Sequence, residues 1–151
     1  MAVTDDIVGD LNALLRDELA AIETYRHAID RTRKVRGQDA RFQKLSDMLQ
    51  DHEEAAARLR DLVVRMGGTA VNGAGTWGTW ANAVLGAASL WGDTAALRAL
   101  REGEENGAKD YRTALKEASV VTRREILDVC ALNLSREEEH VRQLDRLIAF
   151  A

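Results

Sequence analysis

The sequence predicts an all-α protein, a four-helix bundle of two antiparallel hairpins joined by a long crossover that contains a short extra helix. Two observations carry this. The 151 residues are 46% apolar and 30% charged, with no proline and 5% aromatics, a usage that favours helical bundles. Apolar residues also recur at steps of three and four along four long stretches, which glycines interrupt. A chain of this length forms a single domain over 1–151 with one sizeable core.

The first helix is expected from about residue 4 to 35, with Asp5 and Asp6 in its first turn, where they complement the helix dipole. Its apolar stripe runs Ile7, Leu11, Leu14/Leu15, Ala21/Ile22, Tyr25 and Ala28/Ile29, with Glu18 in the middle. Gly37 is a fitting stop. The second helix, 38–66, carries Phe42, Leu45, Leu49, Ala55/Ala56, Leu59 and Leu62/Val63 and closes at Gly67-Gly68. The short connection makes the pair an antiparallel hairpin. The third helix is expected at 94–118 behind Asp93 as N-cap. The fourth is expected at 123–150, behind a capping box of Thr122 and Glu125.

Between the hairpins, the crossover 67–93 contains the uncharged stretch Thr69–Gly92 and all three tryptophans. Its potentially helical part, Trp77–Leu90, is short of the ~20 residues of a membrane span, so no membrane association is expected. Tryptophan favours interfaces, which makes the Trp77–Trp91 strip the candidate contact of a homo-oligomer, a dimer or larger. The net charge of −4 lacks the basic footprint of a nucleic-acid binder. The single cysteine, Cys130, excludes an intramolecular disulfide and a multi-cysteine metal cluster and reads as a small buried hydrophobe. The segment MAVTDDIVGDL has no basic lead into an apolar run, so a cytoplasmic location is expected.

Chemistry enters where polar side chains occupy core-facing positions. Steps of three and four from Cys130 pass through Asn133, Glu137 and His140 before reaching Leu144. A carboxylate and an imidazole on an apolar face are costly unless something pairs with them, and a metal ion pairs with both. Sliding the chain by 86 positions places Glu18 on Glu104, Tyr25 on Tyr111 and Arg26 on Arg112, and likewise Asp51 on Glu137 and Glu54 on His140. In each half the pair follows its glutamate by 33 and 36 residues. The candidate ligands are therefore Glu18, Asp51, Glu54, Glu104, Glu137 and His140, a carboxylate-rich set suited to Fe, Mn or, less selectively, Zn. The stripe Leu45, Leu49, His52, Ala56, Leu59 points His52 inward as a rival ligand. Asp17, Glu23, Glu105 and Glu139 read as solvated charges, and His27 as a surface residue.

The runs LNALLRDELAAIETY, Glu104-Glu105-Asn106-Gly107-Ala108-Lys109 and EEEH at 137–140 resemble bacterioferritin, rubrerythrin and their ferritin-like relatives. The strip GTWGTWANAVLGAASLWGDTAALRALREGEE is similar to a narrower branch, small bacterial ferritin-like proteins classed as a domain of unknown function. The resemblance implies a ferritin-like bundle holding two metal ions, with iron the first expectation and no haem or nucleotide. It implies Glu18 and Glu104 as terminal ligands, Glu137 as a bridging carboxylate and His140 as a nitrogen ligand. Tyr25 and Tyr111 would be hydrogen-bond donors behind them.

The chain departs from that pattern at Asp51-x-x-Glu54, where the relatives have Glu-x-x-His. Five carboxylates and one histidine would then leave about −1 beside two divalent ions. Nor does a fifth helix follow the fourth, so storage in a large shell is not expected. A rubredoxin-like iron centre is excluded by the lone cysteine. Two functions follow as expectations. One is a di-metal carboxylate protein with oxidase, peroxide-handling or metal-binding roles; if it is an enzyme, it is a di-iron oxidoreductase of ferroxidase or peroxidase type. The other is a metal-free oligomeric scaffold or stress-associated binding protein, which should splay its carboxylates outward or neutralise them with arginines.

Overall fold

The computed structural model describes residues 2–73 and 93–150, and every regular element among them is a helix: α1 (Ala2–Arg36), α2 (Ala40–Arg65), α3 (Asp93–Ala114), α4 (Ala118–Val121) and α5 (Arg124–Ala149). α1 packs chiefly on α2 and α3 chiefly on α5, and the two hairpins meet along α2–α5 and α1–α3. The four long helices form a ferritin-like bundle. No helix among the described residues is long and apolar enough to cross a membrane.

Local chemistry explains the turns. Gly37 adopts φ +73° and returns its N–H to the Arg33 carbonyl at 2.9 Å, ending α1 in the left-handed conformation that glycine tolerates. Asp39 then accepts the Phe42 N–H at 3.0 Å and starts α2 as its N-cap. At the far end Gly67 (φ +79°) and Gly68 donate to the Val64 and Val63 carbonyls, a Schellman closure. Asn12 pins the start of the crossover to α1, donating to the Thr69 carbonyl and accepting the Val71 N–H, both at 3.0 Å.

The second hairpin turns differently from the expectation. α3 stops at Ala114, not 118, and the single-turn α4 precedes α5. Thr122 and Glu125 form no capping box. Thr122 closes α4 in a helical conformation and donates its hydroxyl to the Ala118 carbonyl at 2.7 Å, whereas an N-cap needs extended backbone. Arg123 takes that position with no side-chain cap. The extra helix expected in the crossover and the Trp77–Trp91 strip lie outside the described residues.

Among the described residues, the apolar core falls into two clusters. One gathers Ile7, Leu11, Leu15, Leu59, Val63, Ile126 and Cys130; the other gathers Tyr25, Leu45, Met48, Leu97, Leu100 and Leu144. In chain order on α2, α3 and α5, buried polar residues separate the two: His52, Glu104, and Glu137 with His140. Glu18 adds the contribution of α1 and is 1% exposed.

Candidate metal centre

Five of these side chains converge. The donor atoms of His52, Glu104 and His140 lie within 4.8 Å of one another, as do those of Glu18, His52 and Glu137. His52 joins the two groups, its Nδ1 2.7 Å from Glu18 Oε2 and its Nε2 2.7 Å from Glu104 Oε1. His140 faces Glu104 Oε1 through Nδ1 at 3.1 Å and Asp51 Oδ2 through Nε2 at 2.9 Å. Each tyrosine crosses the bundle to the glutamate of the other half. Tyr25 donates to Glu104 Oε1 at 2.5 Å, and Tyr111 to Glu18 Oε1 at 2.6 Å.

Glu137 reaches the centre over Gly107. A Cβ on that glycine would stand 2.5 Å from Glu137 Oε2 and 2.8 Å from Oε1, so only a residue without a side chain lets the carboxylate lie there. Behind Tyr111, Asn133 donates to the phenol oxygen at 3.1 Å and accepts from Arg58 Nε and Nη2 at 3.1 and 2.9 Å. A hydrogen-bonded chain thus runs from a half-buried guanidinium to Glu18.

Electrostatics divide the carboxylates. Burial pushes Glu137 well above the usual carboxylate range, and the nearby Glu18 and Glu104 charges push it further. Burial acts the same way on Glu104, but His52 and His140 overcome it and hold that carboxyl below its ordinary value. Burial alone would lower the His52 pKa, yet Glu104 and Glu18 raise it well above normal. His140 is raised too, against its burial, by Glu104 and Asp51. Two buried oxygens, Glu104 Oε2 and Glu137 Oε2, have no hydrogen-bond partner. Leaving a buried acceptor unpaired costs about 1–3 kcal/mol, more when it is charged.

Four of the six expected ligands meet here: Glu18, Glu104, Glu137 and His140. Asp51 is half-buried behind His140, and Arg136 stands 3.7 Å away. The His140 hydrogen bond lowers its pKa. Glu54 is a correction. It is exposed on the outer face of α2 and accepts from Gln50 at 3.3 Å, while His52, the rival ligand, is buried in its place. The physical reason is the turn. The 86-residue offset holds for α1 against α3, but from Tyr25 to His52 is 27 residues and from Tyr111 to His140 is 29. The longer connection through α4 shifts α2 against α5 by two more residues. At the resulting offset of 88, His52 matches His140 and Leu49 matches Glu137.

The charge balance changes accordingly. Three carboxylates and two imidazoles form the set, and Asp51 brings the acidic charges to four, which equals that of two divalent ions. Carboxylate oxygen with imidazole nitrogen suits Fe, Mn or Zn, so the donor set fits such ions. Asp17, expected to be a solvated charge, is half-buried within hydrogen-bonding reach of Asp110, and burial with that neighbour raises it to about 8. Asn133 and Gly107 were not among the expected site residues. The stripe through Cys130 and Glu137 passes Asn133, but nothing in the sequence marks Gly107 as the seat of Glu137.

The bundle has a ferritin-like fold. A solved structure described as a ferritin-like, diiron-carboxylate protein from Bacillus anthracis str. Ames is similar, with a TM-score of 0.79 over 98% of this chain and 99% of that one, at 19% sequence identity. A family model, Domain of unknown function (DUF2383), matches residues 6–117, and the chain belongs to that family. Comparison with curated proteins gives no match.

Proposed function

We propose that this chain is a di-metal carboxylate protein of the iron type, with oxidase, peroxide-handling or metal-binding roles. Glu18, His52, Glu104, Glu137 and His140 would hold the ions. The observation that carries the reading is the pair of unpartnered buried oxygens, Glu104 Oε2 and Glu137 Oε2, inside a convergent set of five donors. The structural relative's description as a diiron-carboxylate protein supports iron as the metal. When bound, iron would supply one-electron redox chemistry toward O₂ or peroxide.

The chain's own residues prepare the site. Tyr111 holds Glu18 by Oε1 and leaves Oε2 to face His52, whereas Tyr25 holds Glu104 by the same Oε1 that faces His52 and His140. Asp51 holds His140 Nε2 and so directs Nδ1 inward, a carboxylate–imidazole pairing typical of ligating histidines. The two apolar clusters exclude water on either side, which strengthens every charge interaction between them.

The metal-free scaffold reading called for carboxylates splayed outward or neutralised by arginine. Instead the five groups converge, and Arg58 and Arg136 stop at Asn133 and Asp51. The test is elemental analysis of protein purified without chelator, beside a Glu137→Ala/His140→Ala variant and a His52→Ala variant. Metal in the parent and its loss from both variants is the expected result. No metal in the parent, or unchanged content in the variants, would overturn the proposal.

A further inference from the structure

The α1–α3 face of the bundle has an opening that the metal-binding reading does not use. A small cavity of about 80 Å³ lies between these helices, with His52, Glu104 and Glu137 on its inner wall and Asp17 and Asp110 on its outer one. Small residues create it: Ala21 on α1 faces a lining that includes Gly103 and Gly107 on α3. Glu137 and Gly107 both line it, the Glu137 carboxylate lying against Gly107 with its buried Oε2 unpartnered. Asp17 and Asp110 also line a wider groove of about 310 Å³ that continues along the same face past Asp10 and Glu117. Asp10 and Glu117 are exposed.

The four acids are arranged in two steps. Asp10 and Asp17 are seven residues apart on α1, two helical turns or roughly 10 Å, and Asp110 precedes Glu117 by the same interval. Among the described residues, no lysine or arginine lines either space. Asp17, raised to about 8 beside Asp110, holds a proton at neutral pH that an arriving cation can replace, and the other acids over a low-dielectric floor concentrate cations and speed their capture. The internal repeat does not account for these acids, because at the 86-residue offset Asp17 matches Gly103 and Asp110 matches Thr24. Thr24 is buried and spends its hydroxyl on the Ala20 carbonyl at 2.8 Å.

From this we infer that Asp10, Glu117, Asp17 and Asp110 form an entry path for divalent cations, which pass from the outer pair to the inner pair and then to Glu137. The inference rests on the metal-binding proposal and adds the route and the residues that serve it. Asp17 and Asp110 are transit positions: they hasten arrival and departure alike and leave the final occupancy unchanged.

The experiment is stopped-flow uptake of Co²⁺ by the chelator-stripped full chain, read by the absorbance of bound Co²⁺, together with an equilibrium titration. Asp17→Asn/Asp110→Asn should slow uptake roughly tenfold or more and weaken its dependence on salt, while the equilibrium affinity stays at the parent value. Asp10→Asn/Glu117→Gln, on the exposed rim, should slow uptake to a smaller degree and guards against a folding defect in the inner pair. Parent-like uptake rates in both variants, with normal equilibrium binding, overturn the path and leave the metal centre standing. A loss of affinity at an unchanged uptake rate also overturns it, because Asp17 and Asp110 would then be part of the binding set. If the parent binds no Co²⁺, the metal-binding proposal falls and the path falls with it.

Discussion

Tyr111 donates its hydroxyl to Glu18 Oε1 at 2.6 Å, joining two residues 93 apart in sequence across the bundle. Tyr25 repeats the bond to Glu104 at 2.5 Å. Both phenols are pushed above their ordinary pKa, first by burial and then by the carboxylate each serves, so each remains a donor at neutral pH. Tyr111→Phe should cost about 1.5–3 kcal/mol of stability, the range for a hydrogen bond to a charged group. It should also weaken metal binding roughly 10–100-fold. Denaturant unfolding of the chelated variant and an equilibrium metal titration check the two effects separately.

Gly107 offers a sharper separation of site from fold. An alanine in the interior of α3 favours the helix by about 1 kcal/mol over glycine, but its Cβ would occupy the place of the Glu137 carboxylate. Gly107→Ala is expected to lose most of its metal affinity while its chelated form unfolds within about 1 kcal/mol of the parent. Parallel titration and thermal melts test this.

Asp51 and Glu54 test the register. Asp51→Ala frees His140 Nε2 and should reduce metal affinity roughly 10–100-fold, whereas Glu54→Gln, on the exposed face, should leave it at the parent value. Equal losses in both would show that the site uses the register given by the 86-residue repeat.

The pH dependence of the chelated protein follows from the raised groups. His52 and His140 have folded pKa values above the ordinary 6.5. Their charged forms therefore contribute stability that is complete below that value and is lost as pH climbs through the raised ones. Glu137 acts in the same direction, its penalty growing as pH rises from 4.5 toward its elevated pKa, and so does Asp17 up to about 8. At the acid end Glu104 and Asp51, whose values are lowered, lose their contribution as pH falls. The melting temperature with chelator should fall as pH rises from roughly 5 to about 8. A bound metal replaces these protons, so the gap between loaded and chelated melting temperatures should widen over the same interval.

The bundle was legible because its signals are local: apolar steps of three and four, Gly37 and Gly67-Gly68 at the helix ends, and an uncharged crossover between two hairpins. Glu18, Glu104, Glu137 and His140 were legible as polar interruptions of apolar stripes. The exchange of Glu54 for His52 was hidden by the repeat. Its offset is set by α1 and α3, and a two-residue difference in turn length carries no periodic mark. The stripe Leu45, Leu49, His52, Ala56 was the better guide, since the face of one helix does not depend on the length of a distant turn. Gly107 was illegible for a different reason: its role is the volume it leaves empty for a residue on another helix.

The five converging side chains are split between the hairpins, Glu18 and His52 in the first and Glu104, Glu137 and His140 in the second. Neither hairpin owns a complete set, and the outermost members stand 122 residues apart in the chain. An ion that requires all five would recognise only a molecule whose second hairpin has already docked on its first. Metal loading would then act as a proofreading step for assembly, passing over half-built chains and locking finished ones.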